Sequence, residues 1–360
     1  MKNPFTPSFG APPPLLVGRA DLLDLFQDAL DEGPGSPGYA TVYTGARGIG
    51  KTVMLNAAED IARADGVAVI SETATPGFLE RITGTHLPAL MPKRRRKVKS
   101  MTVAPVGSIE LEPSTQQGQI LRTMVEQFTL SNELLITLDE LQAASLSELR
   151  EFSVVLQHAV REGRRLAFCG AGLPSSLDAL LRDKGVTFIR RADRHTLGAV
   201  NKRAVAIAFE EVVAANGRTL DPAVATAAAE ATGGYPFLIQ LVGYRSWRQH
   251  PNHKAITRND VEAGAEEANR RIGSLVFEPA LNDLSAVDRT FLLKMATDHG
   301  PSKMSDIATR MNADANYVSQ YRLRLIAAGL IEPTGRGLVT FTLPHLREWL
   351  RDHAAYDTIQ

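Results

Sequence analysis

Residues 45–52, GARGIGKT, constrain this chain more than any other stretch. Gly45, Gly50, Lys51 and Thr52 stand at the spacing with which a backbone wraps a triphosphate. The loop is flanked by an apolar, strand-like run (39–44) and a helical pattern (52–64), the context that makes such a motif meaningful. Glycines let successive amide N–H groups converge on phosphate oxygens at a helix N-terminus, where the macrodipole also favours anions. Gly45, Ala46, Arg47, Gly48, Ile49, Gly50, Lys51 and Thr52 are therefore the candidate cradle for ATP or ADP. Lys51 would reach the β and γ phosphates, and Thr52 would hold Mg2+, a hard cation that prefers oxygen ligands.

A nucleotide site of this kind needs acids nearby, and the run 134–140, LLITLDE, supplies them. An apolar segment ending in two carboxylates fits a buried parallel strand that delivers acids to its C-terminal edge, where open α/β sheets bind ligands. Asp139 is the candidate for Mg2+ ligation, direct or through water, and Glu140 for activating the attacking water; Lys51 completes the catalytic set. Taken alone, the acid pair would also suit a helix start, since carboxylates stabilise helix N-termini.

Around these motifs strand and helix patterns alternate: 67–71, 76–90, 117–128, 134–138, 146–160, 165–169, 175–181 and 186–189. Such alternation calls for an α/β domain with a parallel sheet covered on both faces, assigned here to residues 16–197. The interval from Thr52 to Asp139 exceeds what one strand and helix require, so an insert is expected at about 92–113, read as a β-hairpin with a basic approach. Its run Lys93, Arg94, Arg95, Arg96, Lys97 and Lys99 suits a solvated loop, a nucleic-acid phosphate contact or an import signal. Residues 1–15 carry five prolines and read as a flexible or extended arm, wrong for a secretory signal. With no apolar run long enough for a bilayer and no membrane partner expected, a cytoplasmic location is anticipated.

From 198 to 276 strands give way to helical periodicity, a lid candidate interrupted by Thr232-Gly233-Gly234-Tyr235-Pro236. Residues 283–355 read as three helices (284–297, Met304–Met311, Ala315–Ala327) and two short strands (329–331, 338–342) around 334–337, a winged helix. The third helix would bury Val318, Tyr321 and Leu325 and present Asn316, Tyr317, Gln320 and Arg324 outward. Asn316, Gln320 and Arg324 could then read a major groove, with Arg336 on the wing. Nine Lys/Arg balance nine Asp/Glu over 283–360, so partner docking or autoinhibition stands equally open. Over the whole chain 40 basic residues meet 40 acidic ones, which removes any global attraction to nucleic acid. The one cysteine, Cys169, lies in an apolar run and reads as a buried thiol; no zinc spacing occurs among the eight histidines.

LVGR, GARGIGKT, LLITLDE, TGGYP and the terminal winged helix together resemble AAA+ P-loop ATPases of the initiator-like (origin-recognition) and archaeal-type STAND group. The resemblance runs from Leu16 onward. It implies that Val17, Gly18 and Arg19 lie beside adenine and ribose, and that Pro236 touches the base from the lid. It also exposes departures. The fourth strand ends in Cys169-Gly170-Ala171-Gly172, where the family usually carries a polar residue that positions water, and the lid lacks the initiators' sensor arginine. Slow hydrolysis is the expectation. Arg182, Arg190, Arg191 and Arg194 are candidates for a finger acting on a neighbouring subunit's nucleotide.

Two functions follow from these residues. One is a nucleotide-dependent switch, an Mg-dependent ATP hydrolase coupled to its winged helix. The other is a DNA-binding protein in replication, mobile-element targeting or regulation, whose assembly ATP controls; its partners would be duplex DNA, a second copy or another protein. A single motor-type domain argues against helicase action.

Overall fold

Strands β1 (Ala40–Thr44), β2 (Ala68–Thr73), β3 (Leu134–Asp139), β4 (Leu166–Gly172) and β5 (Asp193–Thr196) form one parallel sheet in the order β2-β3-β4-β1-β5. The computed structural model describes residues 2–7, 16–91, 113–282 and 284–353. All seven residues of β4 are buried, as are Leu134–Leu138 of β3, which is why these segments read as unbroken apolar runs: helices cover both faces. Side chains alternate across the sheet. Tyr43, Leu135 and Cys169 pack beneath the helix Lys51–Ala64, while Val42, Ile136 and Phe168 face Phe152 of the helix Leu146–Arg161.

The order of strands fixes the site. β1 ends in the phosphate loop and β3 in the acids, and β4 lies between them, so whatever stands at the end of β4 separates loop from acids. The fifth strand is not where the sequence places it. Val186 and Ile189 are buried one helical turn apart, and Thr187–Arg190 is a short helix; the strand is Asp193–Thr196. As the edge of the sheet it carries Asp193, Arg194 and His195, a polar composition that hides it from an apolar pattern. The basic run 93–99 and the proposed hairpin lie outside the described residues.

The helices Lys202–Ala215, Pro222–Thr232, Pro236–Gln249 and Arg258–Ile272 form the helical region, started by side-chain caps from Asn201, Asp221 and Thr257. It is not wholly helical, since Thr219–Leu220 and Ala255–Ile256 pair as a small parallel ladder. Residues 2–7, read from composition as part of a flexible or extended arm, pack against it. Phe5 is 3% exposed, its ring 5.6 Å from that of Phe209. Gly243 leaves the space: a Cβ there would stand 2.5 Å from the Phe5 ring. One aromatic residue overrides the proline signal.

Beyond Ile272 the helix continues through a π turn, Gly273–Phe277, into Glu278–Asn282. The winged helix follows, with helices Ala286–Ala296, Met304–Met311 and Ala315–Ala327 and a three-stranded antiparallel sheet in which Leu338–Phe341 lies between Ser302–Lys303 and Ile331–Gly335. A last helix, Leu346–His353, was not apparent from the sequence. It seats the Trp349 indole on Gly273, where a Cβ would stand 2.3 Å from Nε1, and edge-on to Phe277 at 5.8 Å. No helix among the described residues is long and apolar enough to cross a membrane.

Candidate nucleotide site

Three glycines give the loop its shape: Gly45, Gly48 and Gly50 adopt φ of 155°, 69° and 97°, the region other residues avoid. Gly50 caps the helix Lys51–Ala64, whose first-turn amides have no partner within the helix. Lys51, 7% exposed, folds back so that Nζ donates to the carbonyls of Gly45 and Ala46, both at 2.9 Å. An ammonium has three donors, so one remains for a phosphate. Burial pushes the Lys51 pKa below its ordinary value, against the pull of Glu140 and Asp139, which favour the charged form.

Asp139 ends β3 and Glu140 follows it directly. Thr52 Oγ1 donates to Asp139 Oδ2 at 2.6 Å, which brings together the two expected Mg2+ ligands. Glu140 follows in a left-handed conformation, φ 54°, and its amide donates to Asp139 Oδ1 at 2.8 Å. Strain of this kind in a residue other than glycine persists where surrounding structure imposes it, often at functional positions. The donor set, a hydroxyl, two carboxylates and a buried ammonium beside converging amides, fits a magnesium-bound polyphosphate.

A cavity of about 490 Å³ opens from this loop toward the helical region. Arg47 to Val53 and Glu140 line the phosphate end; Leu16, Val17, Val200, Pro236, Phe237 and Ile239 make an apolar slot suited to a flat base. Val17, Arg19 and Pro236 are among the residues that line this cavity. Gly18 does not face the cavity and instead lets Val200 approach, a Cβ there being 2.9 Å from Val200 Cγ1. Arg19 donates to the Gly198 carbonyl, which fixes it at the rim. Sequence reasoning missed three walls: Thr6 and Pro7 of the arm, Gln240, and Leu275, Val276, Pro279 and Ala280 of the segment leading to the winged helix. None carries a motif; they converge only through the fold.

The TGGYP segment is more than a helix boundary. Gly233 ends one helix with φ 57°, and Gly234 passes so close to Val200 that a Cβ would lie 2.1 Å from its carbonyl oxygen. Tyr235, 1% exposed, then plugs onto the phosphate loop and donates its hydroxyl to the Arg47 carbonyl at 2.8 Å. A Cβ on Gly48 would fall 2.0 Å from that hydroxyl. Gly48→Ala is expected to cost about 2–3 kcal/mol, from overpacking plus the left-handed backbone. Thermal melting checks this; an unchanged midpoint would mean that Tyr235 does not rest on the loop.

The other candidates are dispersed. Arg182, Arg190 and Arg191 are exposed, whereas Arg194 is tied to Asp178 at 2.5 Å. On the winged helix Asn316, Gln320 and Arg336 are exposed, but Arg324 donates to Asp288 at 2.8 Å and lies over the Tyr321 ring. Cys169 is fully buried, its thiol pKa raised by burial, and serves packing.

Strand order, phosphate loop and acid pair together define a P-loop nucleotide-binding fold. Residues 15–169 match the AAA ATPase domain family, and this part of the chain is an AAA ATPase domain. Residues 274–350 match a family described as a domain of unknown function. No curated protein matches. Among solved structures, the chain is similar to the Walker-type ATPase PABY2304 of Pyrococcus abyssi at TM-score 0.66 and 15% identity, covering 93% of this chain and 96% of that one. The ORC2 protein of Aeropyrum pernix aligns at TM-score 0.64 and 16% identity over 98% and 96%. Cdc6p of Pyrobaculum aerophilum aligns at 0.53 and 17% over 98% and 97%. The shared architecture includes the winged helix.

Proposed function

We propose that this chain is an ATP-dependent switch, in which occupancy of the loop cavity sets the position of the winged helix and slow hydrolysis resets it. The observation that carries the reading is the double-sided π turn. Leu275, Val276 and Pro279 line the nucleotide cavity, while Gly273 and Phe277 of the same segment seat Trp349 of the winged helix. A base entering the slot therefore bears on the segment that carries the terminal module, and π turns recur at functional sites. Tyr235 supports the same reading from the other side, since it joins the helical region to the loop that would wrap the phosphates.

In this reading the amides of residues 48–52 cradle the β phosphate and Lys51 neutralises charge on the β and γ oxygens. Thr52 and Asp139 would hold Mg2+, which when bound screens the phosphates. Glu140 accepts a proton from water as its oxygen bonds to the γ phosphorus and the bond to the β-bridging oxygen breaks, leaving ADP and phosphate. Arg182, Arg190 and Arg191, exposed and with no ion pair among the described residues, would serve a neighbouring copy's site; Arg194 would first have to leave Asp178. The test is Trp349 emission during MgATP titration, compared with Trp349→Phe to subtract Trp247. A saturable change in the wild-type difference signal is expected; binding without any change at Trp349 would contradict the coupling.

A second reading, duplex DNA on the winged helix, is favoured only by the exposed Asn316, Gln320 and Arg336. Binding that weakens steeply with salt would support it; absence of binding at low salt, with or without ATP, would remove it.

A further inference from the structure

The end of β4 lacks a polar side chain, yet the space between loop and acids is not without one. The 3-10 turn Leu141–Ala143 crosses over Gly170 and Gly172, where Cβ atoms would lie 2.6 Å from Leu141 Cδ1 and 2.9 Å from Gln142 Oε1. The two glycines are therefore the room into which this turn fits. Gln142 uses both ends of its amide there: Nε2 donates to Glu140 Oε2, and Oε1 accepts from the Leu173 backbone N–H at 3.0 Å, immediately past β4. Glu140 is thereby bonded, through one side chain, to the backbone just beyond the strand that separates it from the phosphate loop.

We infer that Gln142 is the positioning residue for Glu140, supplying from the turn after β3 what the tip of β4 does not carry. This rests on the proposed role of Glu140 as the base. Three features make the amide suited to it. Its acceptor end is fixed by main chain rather than by another mobile side chain, so the donor end has a defined direction. It occupies one carboxylate oxygen of Glu140 and leaves the other for water. It also counters rotamer freedom in an exposed side chain, since an unrestrained glutamate must be ordered at the moment of reaction. Leu173 is itself buried, 5% exposed, and rests against Gly329 of the winged helix, where a Cβ would stand 3.2 Å from Leu173 Cδ2. The anchor of the positioning amide is thus in contact with the terminal module.

The experiment compares steady-state ATP turnover and equilibrium ATP binding for wild type, Gln142→Ala, Gln142→Glu, Glu140→Gln and the double variant Gln142→Ala/Glu140→Gln. Gln142→Ala is expected to lower kcat about tenfold, a fraction of what a general base contributes, with ATP affinity unchanged. Gln142→Glu keeps the size but donates no hydrogen at neutral pH; it should lose at least as much and serves if the alanine variant fails to fold. In the Glu140→Gln background the Gln142 substitution should change nothing further. Wild-type or raised kcat in both Gln142 variants, with Glu140→Gln inactive, overturns this inference alone. Full turnover by Glu140→Gln removes the base itself, and the positioning role with it.

Discussion

Lys51→Ala is expected to abolish measurable MgATP binding. The ammonium is buried, is already held toward the loop by two carbonyls, and keeps one donor for the ligand. A charge-assisted hydrogen bond to a phosphate contributes about 2–3 kcal/mol, so its loss lowers affinity by roughly a hundredfold, before the loop's own rearrangement is counted. The pH dependence has a definite sign. Binding needs the charged form, and burial holds the free protein's Lys51 below the usual 10.5 of a lysine. Affinity should fall as pH rises through that depressed value, earlier than an exposed lysine would allow. Isothermal titration across pH checks both; wild-type affinity in the alanine variant would mean that the cavity is not a phosphate site.

Glu140→Gln is the second large effect. The substitution keeps shape and removes the base, so ATP should bind with affinity close to wild type while phosphate release falls by a factor of about 100–10,000, the usual contribution of a positioned general base. The left-handed backbone at this residue makes the replacement safe, since a glutamine adopts that conformation as readily as a glutamate does. Equal phosphate release by the two proteins would take Glu140 out of the reaction.

The loop and acid strand were legible because their chemistry is local. Glycines at 45, 48 and 50, a lysine and a threonine must be neighbours in sequence to be neighbours around a phosphate, and β3 announces itself through continuous burial. The rest of the site is assembled by crossings. Thr6, Gln240 and Pro279 meet across more than two hundred residues with no shared pattern. β5 escaped because an edge strand needs no apolar alternation, and residues 2–7 escaped because Phe5 finds its socket at Gly243, a glycine whose purpose is invisible until the two segments pack. The glycines at 170 and 172 read as a missing polar group; folding shows them to be the space that admits Gln142.

Hydrogen exchange of the full chain, with and without a nonhydrolysable MgATP analogue, tests the central claim most directly. The account predicts slowed exchange at residues 45–52 together with the segment 273–282 and the helix Leu346–His353, because one ligand bears on the loop and on the π turn that seats Trp349. Protection confined to the loop, with the linking segment and terminal helix exchanging as before, would contradict it.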